Sequence, residues 1–324
     1  MRRKACIALL LGMAVVAMPA AAQPDPSRRT GNTVADAAVP GWDWQWLHAA
    51  SADGQRQYRI RVAVPQRQAP AAGFPVVYLL DGNAALMETD AALLQRLAAS
   101  AHPPVIAYIA HDNDLRIDGD ARALDYTPRR PGGEDAQRDV QGQRRNGGAD
   151  AFLDLIQHDI AAKVEALAPI DRARRVLWGH SYGGVFVLHA LFTRPDAFSV
   201  YAAADPSLWW GDGHLLGEER AAVTATGVMP TLYVWVGDGA AASSTARTPA
   251  PGRSPDAVAA MQRARASVPA DATQRMAERL RAGGLPVYFT SLPGLSHGQT
   301  LGASLPLLLQ ALAGEASVPG QVTR

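Results

Sequence analysis

The sequence predicts an α/β fold in which a mostly parallel central sheet is covered by helices on both faces. Apolar runs typical of buried strands, such as FPVVYLLDG and PPVIAYIA, alternate with stretches of helical length. The chain has 324 residues, of which 48% are hydrophobic and 19% are charged, as in globular proteins. The alternation continues to the last apolar stretch, LGASLPLLLQAL. We therefore expect a single domain over residues 41–324.

The first residues have the pattern of a secretory signal peptide over residues 1–22. A basic start precedes an apolar run that is shorter than the about 20 residues needed to span a membrane. Three alanines, ending at Ala22, stand before a polar Gln23 and predict cleavage there. We expect a periplasmic or secreted protein without a stable membrane anchor. Residues 23–40, which are polar with proline and glycine, are expected to form a flexible leader.

Charge and cysteine content exclude several kinds of partner and site. The formal net charge is +1, which gives no reason to expect nucleic acid as a partner. The single cysteine, Cys6, lies inside the predicted signal peptide. The mature chain would therefore have no disulfide, thiol nucleophile or cysteine metal ligand. We expect neither a metal nor another cofactor.

The domain is predicted to open with an antiparallel β-hairpin. Trp42, Trp44 and Trp46 alternate with polar residues, and a second alternating run extends from Tyr58 to Val64. A buried strand, a helix over about 84–99, a second buried strand, a polar loop over 111–148 and a helix over 149–167 follow. The later strands are SVYAAADPS, TLYVWVGD and PVYFTSL, with a helical region over about 254–282 between the last two.

A serine lies where a strand meets a helix in RRVLWGHSYGGVFVLHALF, residues 174–192. Gly179 and Gly183 stand two positions before and two positions after Ser181. In a nucleophile elbow these positions must be small, because the sharp turn brings them together. The alternative is an ordinary glycine turn. The strand–turn–helix context favours the elbow of an α/β-hydrolase, with Ser181 as the nucleophile.

The partners of the serine should lie on loops after later strands, in the order nucleophile, acid, histidine. His297, in LPGLSHGQT, follows the last predicted strand and is the expected general base. Asp238 follows TLYVWV and is expected to orient His297. An aspartate between two glycines is nearly as often a simple turn residue.

Backbone amides are expected to stabilise the oxyanion. One is the amide of Tyr182, and the other is that of Asn83 or Gly82 in YLLDGNAAL, unless this loop is a plain strand-to-helix turn. His180 adjoins the serine, and we expect it to line the pocket or a core because a neighbour on the elbow points elsewhere.

Six segments, in this order, resemble the esterase branch of the α/β-hydrolases, and most closely its periplasmic siderophore esterases: YLLDGNA, RALDYTP, GGADAFLDLI, GHSYGGVFVLHALF, PSLWW and PGLSHGQ. The resemblance covers about residues 40–315. It implies hydrolysis of ester bonds in catecholate siderophores of the enterobactin or salmochelin type, through an acyl-enzyme intermediate. The expected partner is a small-molecule ester, free or as an iron–siderophore complex.

The resemblance also implies roles for binding residues. It places Arg122 of RALDYTP near the ester, where a guanidinium suits catecholate or carbonyl oxygens, the alternative being a solvated loop arginine. Trp209 and Trp210 are expected to form a pocket wall, with His180 beside them.

The sequence departs from the family pattern at Asp205, where the segment SPSIWW would have a serine. Some members of the branch work with a Ser–His dyad, which weakens the case for Asp238. Two other functions stay open: a general carboxylesterase for acetylated or feruloylated glycans or small acyl esters, and a non-catalytic secreted binding protein. The intact Ser181 and His297 argue against the binding protein.

Overall fold

Eight strands form one sheet in the part of the chain that the computed structural model describes, residues 27–139, 143–221, 229–239 and 255–314. The strand order is β1-β2-β4-β3-β5-β6-β7-β8. The strands are β1 (Trp42–Ala50), β2 (Gln57–Pro65), β3 (Phe74–Leu79), β4 (Val105–His111), β5 (Ile170–His180), β6 (Val200–Ala204), β7 (Thr231–Gly237) and β8 (Val287–Leu292). Strand β2 pairs antiparallel with β1 and β4, and the other pairs are parallel. This confirms the α/β-hydrolase fold with an antiparallel N-terminal hairpin.

The helices connect these strands across both faces of the sheet. They are α1 (Gly82–Met87), α2 (Ala91–Ala99), α3 (Gly119–Asp125), α4 (Ala149–Asp154), α5 (Ala161–Glu165), α6 (Tyr182–Thr193), α7 (His214–Ala221), α8 (Pro255–Arg265), α9 (Ala272–Ala282) and α10 (Gln299–Ala313). A π-helical turn, Leu155–Ile160, joins α4 to α5, so the helix predicted over 149–167 is one continuous helical stretch.

Two elements differ from the sequence prediction. The helix expected over 84–99 is divided into α1 and α2, because the Asp90 carboxylate accepts the Leu93 amide at 2.6 Å and starts a new helix. The polar loop expected over 111–148 contains α3, where the Asp118 carboxylate accepts the amides of Asp120 and Ala121. In both cases an aspartate cap supplies the helix start.

The two faces of the sheet bury separate clusters of apolar side chains. Successive residues of a strand point to opposite faces, and Leu177 and Trp178 of β5 accordingly lie in different clusters, both without exposed surface. Helix α6 is buried from Gly183 to Phe192, which agrees with its continuously apolar sequence. The end of β5 is therefore packed on both sides, and the bend at Ser181 lies between this buried strand and a buried helix.

The described part of the predicted leader over 23–40, residues 27–40, contacts the domain at several places. The Arg28 carbonyl accepts the Arg116 amide at 2.7 Å, and the Asp36 carboxylate lies 3.0 Å from Nη1 of Arg61. The predicted signal peptide over 1–22 lies outside the described residues. No helix in the described ranges is long and apolar enough to cross a membrane.

Candidate active site

Ser181 occupies a strained bend between β5 and α6. Its φ of 61° and ψ of −112° are rare for a residue with a side chain, and strained backbone of this kind concentrates at functional sites. A Cβ at Gly179 would lie 2.4 Å from the Gly183 carbonyl oxygen, so position 179 must be glycine. A Cβ at Gly183 would find its nearest neighbour at 3.6 Å, so that glycine is not required by packing.

A third glycine of the elbow brings another loop close. A Cβ at Gly184 would lie 2.9 Å from Cα of Pro206, in the segment that follows β6. The absence of a side chain at Gly184 therefore lets the Asp205–Ser207 segment approach the serine. Ser207 is buried, and its Oγ lies 3.2 Å from Oγ of Ser181.

The predicted base reaches the predicted nucleophile. Nε2 of His297 lies 3.0 Å from Oγ of Ser181, a hydrogen-bond distance across 116 residues of sequence. The hydroxyl can donate to Nε2 when the imidazole carries its proton on Nδ1. This is the geometry needed for a serine activated by a histidine base.

The main chain of His297 is held by two buried side chains. Its carbonyl oxygen accepts the Thr300 hydroxyl at 2.7 Å and Nε2–H of His180 at 2.7 Å. Burial, with the neighbouring His297 and then the Arg122 guanidinium, lowers the pKa of His180 well below its usual value, so the ring is neutral. His180 is 6% exposed and bonds to the main chain of the base, so of its two expected places, pocket or core, the structure favours the core.

Asp205, and not Asp238, faces the far side of the imidazole. Oδ2 of Asp205 lies 3.4 Å from Nδ1 of His297. The Asp238 carboxylate accepts the Gly294 amide at 2.6 Å and the Ser291 hydroxyl at 3.1 Å. The prediction that Asp238 orients His297 is therefore corrected: Asp238 shapes the loop before the histidine.

The two predicted oxyanion amides begin helices at neighbouring strand ends. The first main-chain bond within α6 runs from the Val185 amide to the Ser181 carbonyl, so the Tyr182 amide precedes the helical ladder. Helix α1 begins at Gly82, separated from the end of β3 by two residues, and β3 pairs with β5. The side-chain amide of Asn83 is occupied elsewhere, since it donates to the Asn113 and Leu115 carbonyls at 2.9 and 2.8 Å. The predicted oxyanion donor is its backbone amide.

Arg122 is not a ligand-facing arginine in this structure. Its Nε and Nη2 donate to the Asp81 carboxylate at 3.0 and 2.8 Å, and Nη2 also donates to the His180 carbonyl at 3.1 Å. The side chain is buried, which opposes its charge, but the charge and hydrogen bonds of Asp81 together with the nearby tyrosines raise its pKa overall. The expectation of a guanidinium available to an anionic ester is corrected to a buried ion pair.

A cleft of about 240 Å³ opens beside Tyr182. Trp209 and Trp210 line it, and the ring centres of Tyr182 and Trp209 lie 6.1 Å apart. The cleft also carries charges of both signs, from Arg130, Arg138, Asp135, Asp139 and Asp212. Within the described ranges, no three His, Cys, Asp or Glu side chains are placed to hold a metal ion.

Comparisons with known proteins agree with this geometry. A family model named Esterase and described as "Putative esterase" matches residues 51–273. This chain belongs to that esterase family. Within the family, the chain is 33% identical to the apo-salmochelin esterase of Escherichia coli O6:H1 (strain CFT073) over 312 residues, 96% of this chain and 90% of the relative.

The chain is also similar to other esterases, in sequence and in structure. The ferri-bacillibactin esterase BesA of Bacillus subtilis (strain 168) is 32% identical over 211 residues, 61% of this chain and 70% of BesA. The solved structure of the enterobactin hydrolase IroE in complex with DFP superposes with a TM-score of 0.67 at 31% identity, covering 87% of this chain and 99% of IroE. The chain is therefore an enzyme, a serine hydrolase of the esterase family.

Three residues of the site had no predicted role. Asp205 was noticed only as a departure from the family segment, and that departure was the signal that could have identified it. Ser207 has no local signal, because its contact with Ser181 joins residues 26 positions apart and arises from the packing of neighbouring strand ends. Thr300 bonds to the His297 carbonyl three residues earlier, a local contact at the start of α10, but a threonine near a helix start is too common to be singled out in sequence.

Proposed function

We propose that this esterase hydrolyses ester bonds of catecholate siderophores through an acyl-enzyme formed on Ser181. One observation carries the proposal: Oγ of Ser181 lies on an elbow, 3.0 Å from Nε2 of His297. The names of the relatives, which are siderophore esterases and hydrolases, support the substrate class.

The proposed reaction has two halves with one proton carrier. Nε2 of His297 takes the hydroxyl proton of Ser181 as Oγ attacks the ester carbonyl carbon. The amides of Tyr182 and Asn83 stabilise the oxyanion that forms. The tetrahedral intermediate breaks the bond to the alkoxide, which takes the proton from His297. In the second half, His297 takes a proton from a water molecule, which attacks the acyl-enzyme. The carboxylic acid product is released and Ser181 regains its proton.

The cleft beside Tyr182 suits an aromatic acyl group with polar substituents. Trp209 and Tyr182 offer ring faces, and aromatic pairs stabilise one another in offset or edge-to-face arrangements. The guanidinium of Arg130 lies 5.5 Å from the ring centre of Trp210 and can meet catecholate oxygens. Asn146 lines the same cleft, is 4% exposed, and has no hydrogen-bond partner for its side-chain amide among the described residues.

An esterase for feruloylated glycans is the second candidate, because the same aromatic wall can receive a feruloyl ring. Hydrolysis should be compared for apo-enterobactin, ferric enterobactin, a feruloyl ester and p-nitrophenyl acetate. We expect the highest kcat/KM for an enterobactin form. A higher kcat/KM for the feruloyl ester than for both enterobactin forms would reject the siderophore proposal, while the protein would still be an esterase.

The acyl-enzyme is tested separately by covalent labelling. Wild-type protein should bind one fluorophosphonate per chain at Ser181, as located by peptide mass spectrometry, and Ser181→Ala should bind none. The variant should also lose hydrolysis by several orders of magnitude, about 10⁶ in the best-studied serine hydrolase. Retention of more than about a tenth of the wild-type kcat would reject Ser181 as the nucleophile.

The cellular location is part of the proposal. The N-terminal sequence pattern supports export to the periplasm with removal of residues 1–22. Mass spectrometry of protein recovered from the periplasmic fraction should give a mature chain that begins at Gln23. An intact N-terminus on protein that stays in the cytoplasm would contradict it.

A further inference from the structure

We propose that Asp205 is the acid of this active site, a positioning residue that orients His297 and balances its charge during the reaction. This inference rests on the proposed function of Ser181 and His297. It differs from the sequence expectation because it takes the acid from the end of β6 and not from the end of β7. It also gives a role to the position at which the sequence departs from the family segment SPSIWW.

The backbone around Asp205 is built to hold the side chain at the base. Its amide donates to the Trp235 carbonyl of the neighbouring strand at 2.7 Å, and its φ is 44°, a left-handed value that an aspartate tolerates better than most residues. Gly184 lets the next residue, Pro206, approach the elbow helix closely. The bend after β6 is therefore held from two sides while its side chain points to His297.

One carboxylate oxygen of Asp205 lies near all three of its polar neighbours. Oδ2 of Asp205 lies 3.4 Å from Nδ1 of His297, 3.4 Å from the Gly237 amide and 3.4 Å from the Thr300 hydroxyl. The Thr300 hydroxyl has one proton, and it lies closer to the His297 carbonyl, at 2.7 Å. Oδ2 therefore keeps the capacity to accept Nδ1–H, and such contacts often tighten only when substrate is bound.

The rival acid is occupied by another task. Asp238 bonds to the Gly294 amide and the Ser291 hydroxyl, both before His297 in sequence. A Cβ at Gly237 would lie 2.3 Å from the Leu295 carbonyl oxygen, so the end of β7 packs directly under the histidine loop. Asp238 thus stabilises the loop that precedes His297, and Asp205 is the carboxylate that lies beside the imidazole.

Charge at the imidazole explains why the side chain matters. When Nε2 takes the proton of Ser181, His297 becomes positive, and a carboxylate at Nδ1 stabilises that form without itself taking a proton. The described titratable side chains that face His297 are Asp205 from β6 and His180 from β5, and His180 is neutral. A serine at position 205 would be uncharged and one atom shorter than aspartate. Ser181 and His297 would then have to work without an acid.

The test replaces Asp205 with serine and, separately, with asparagine, and uses p-nitrophenyl acetate as the substrate. We expect both variants to lose about 10³–10⁴-fold in kcat with little change in KM, as for the loss of the acid in other serine hydrolases. A merely structural role would instead lower the melting temperature, change KM together with kcat, and add its loss to that of His297→Ala.

Two controls make the result specific. Asp238→Asn, which changes an aspartate of the adjacent strand end, should cost less than about tenfold in kcat, since asparagine tolerates turn conformations. Adding Asp205→Asn to His297→Ala should cause no further loss, because the acid acts only through the histidine. Circular dichroism of each variant identifies unfolding, and the isosteric asparagine variant keeps the test valid if the serine variant does not fold.

The outcomes separate this inference from the function beneath it. If wild-type protein hydrolyses esters and is labelled at Ser181, but Asp205→Asn keeps more than a third of kcat, the acid assignment fails and a dyad stands. A full loss in Asp238→Asn would likewise overturn it. If wild-type protein neither hydrolyses an ester nor takes the label, the proposed function fails first.

Discussion

Arg122 forms a bidentate ion pair with Asp81, through Nε–Oδ1 and Nη2–Oδ2 contacts of 3.0 and 2.8 Å. Nη2 also donates to the carbonyl of His180, the residue directly before the nucleophile. Asp81 directly precedes helix α1, which carries one of the proposed oxyanion amides. One guanidinium therefore ties the loop after β3 to the loop after β5, and both loops carry groups of the proposed reaction.

Arg122→Met should destabilise the fold and slow the reaction without selecting among substrates. The change leaves the Asp81 carboxylate, 3% exposed, without its counter-ion, which typically costs about 3–5 kcal/mol in the free energy of unfolding. We expect kcat to fall by a similar factor for neutral and anionic esters. Urea unfolding and kinetics with both ester types measure the two effects. Unchanged stability, with a higher KM only for anionic esters, would instead make Arg122 a ligand-binding residue.

The two glycines that flank Ser181 should differ sharply when each is changed to alanine. Gly179→Ala places a Cβ 2.4 Å from the Gly183 carbonyl oxygen, so the elbow must shift. A displacement of about 1 Å at a reacting group can cost 10²-fold in rate, and we expect at least that loss. Gly183→Ala meets its nearest neighbour at 3.6 Å and should keep its fold, as circular dichroism would show. Equal damage from both substitutions would contradict this packing.

His180→Phe should weaken catalysis through the position of the base. The substitution keeps an aromatic ring but removes the N–H that bonds to the His297 carbonyl, which then keeps only the Thr300 hydroxyl. We expect kcat to fall about tenfold with KM unchanged, because the base is less well held. Thr300→Val is the matched control, and the double variant should lose more than the two single losses combined. A raised KM in His180→Phe would point to substrate contact.

The buried His189 should make the stability of the protein depend on pH. Its Nδ1 lies 2.9 Å from Glu218, and its Nε2 lies 3.3 Å from Asp150. Burial opposes the charge, but hydrogen bonds to Asp150 and Glu218 raise the pKa of His189 to about 9. The folded pKa is above the unfolded value of 6.5, so the stabilisation is complete below pH 6.5 and is lost as the pH rises through 9.

The size of this effect sets the experiment. The shift corresponds to at most ~3 kcal/mol, less the screening of the partly exposed Asp150. The free energy of unfolding from urea titrations should decline between pH 6.5 and 9 in wild-type protein. His189→Gln, which does not titrate, should flatten that decline. A flat wild-type profile, or one that His189→Gln leaves unchanged, would show that this cluster is not the source.

The elbow and the base could be predicted because their signals are local. Gly179, Ser181 and the apolar helix lie within a few residues, and His297 follows an obvious last strand. The acid could not be predicted, because β6 and β7 are adjacent parallel strands that are each followed by an aspartate, Asp205 and Asp238. The order rule admits both. Their difference depends on which strand end packs against Gly184 and which against the loop at Gly294, and sequence does not report such distances.

Arg122 shows the same limit for a charged residue. The family segment RALDYTP marked it as important, and its charge suggested an anionic ligand. Its partner, Asp81, is 41 residues earlier, in the loop that the sequence predicts to supply an oxyanion amide, where no ion pair was expected. A resemblance of short segments identifies which residues matter, while the partner of Arg122 is set by the packing of α3 against the loop after β3.

The His297 carbonyl is held by His180 and Thr300, two contacts that do not involve the side chain at position 205. The main chain of His297 is thus held without the residue at position 205, while the proposed task of Asp205 concerns only the ring, its orientation and its charge during the reaction. Different residues hold the backbone of the base and its side chain. A substitution at position 205 can therefore change the reactivity of Ser181 while the loop that carries the base keeps its place.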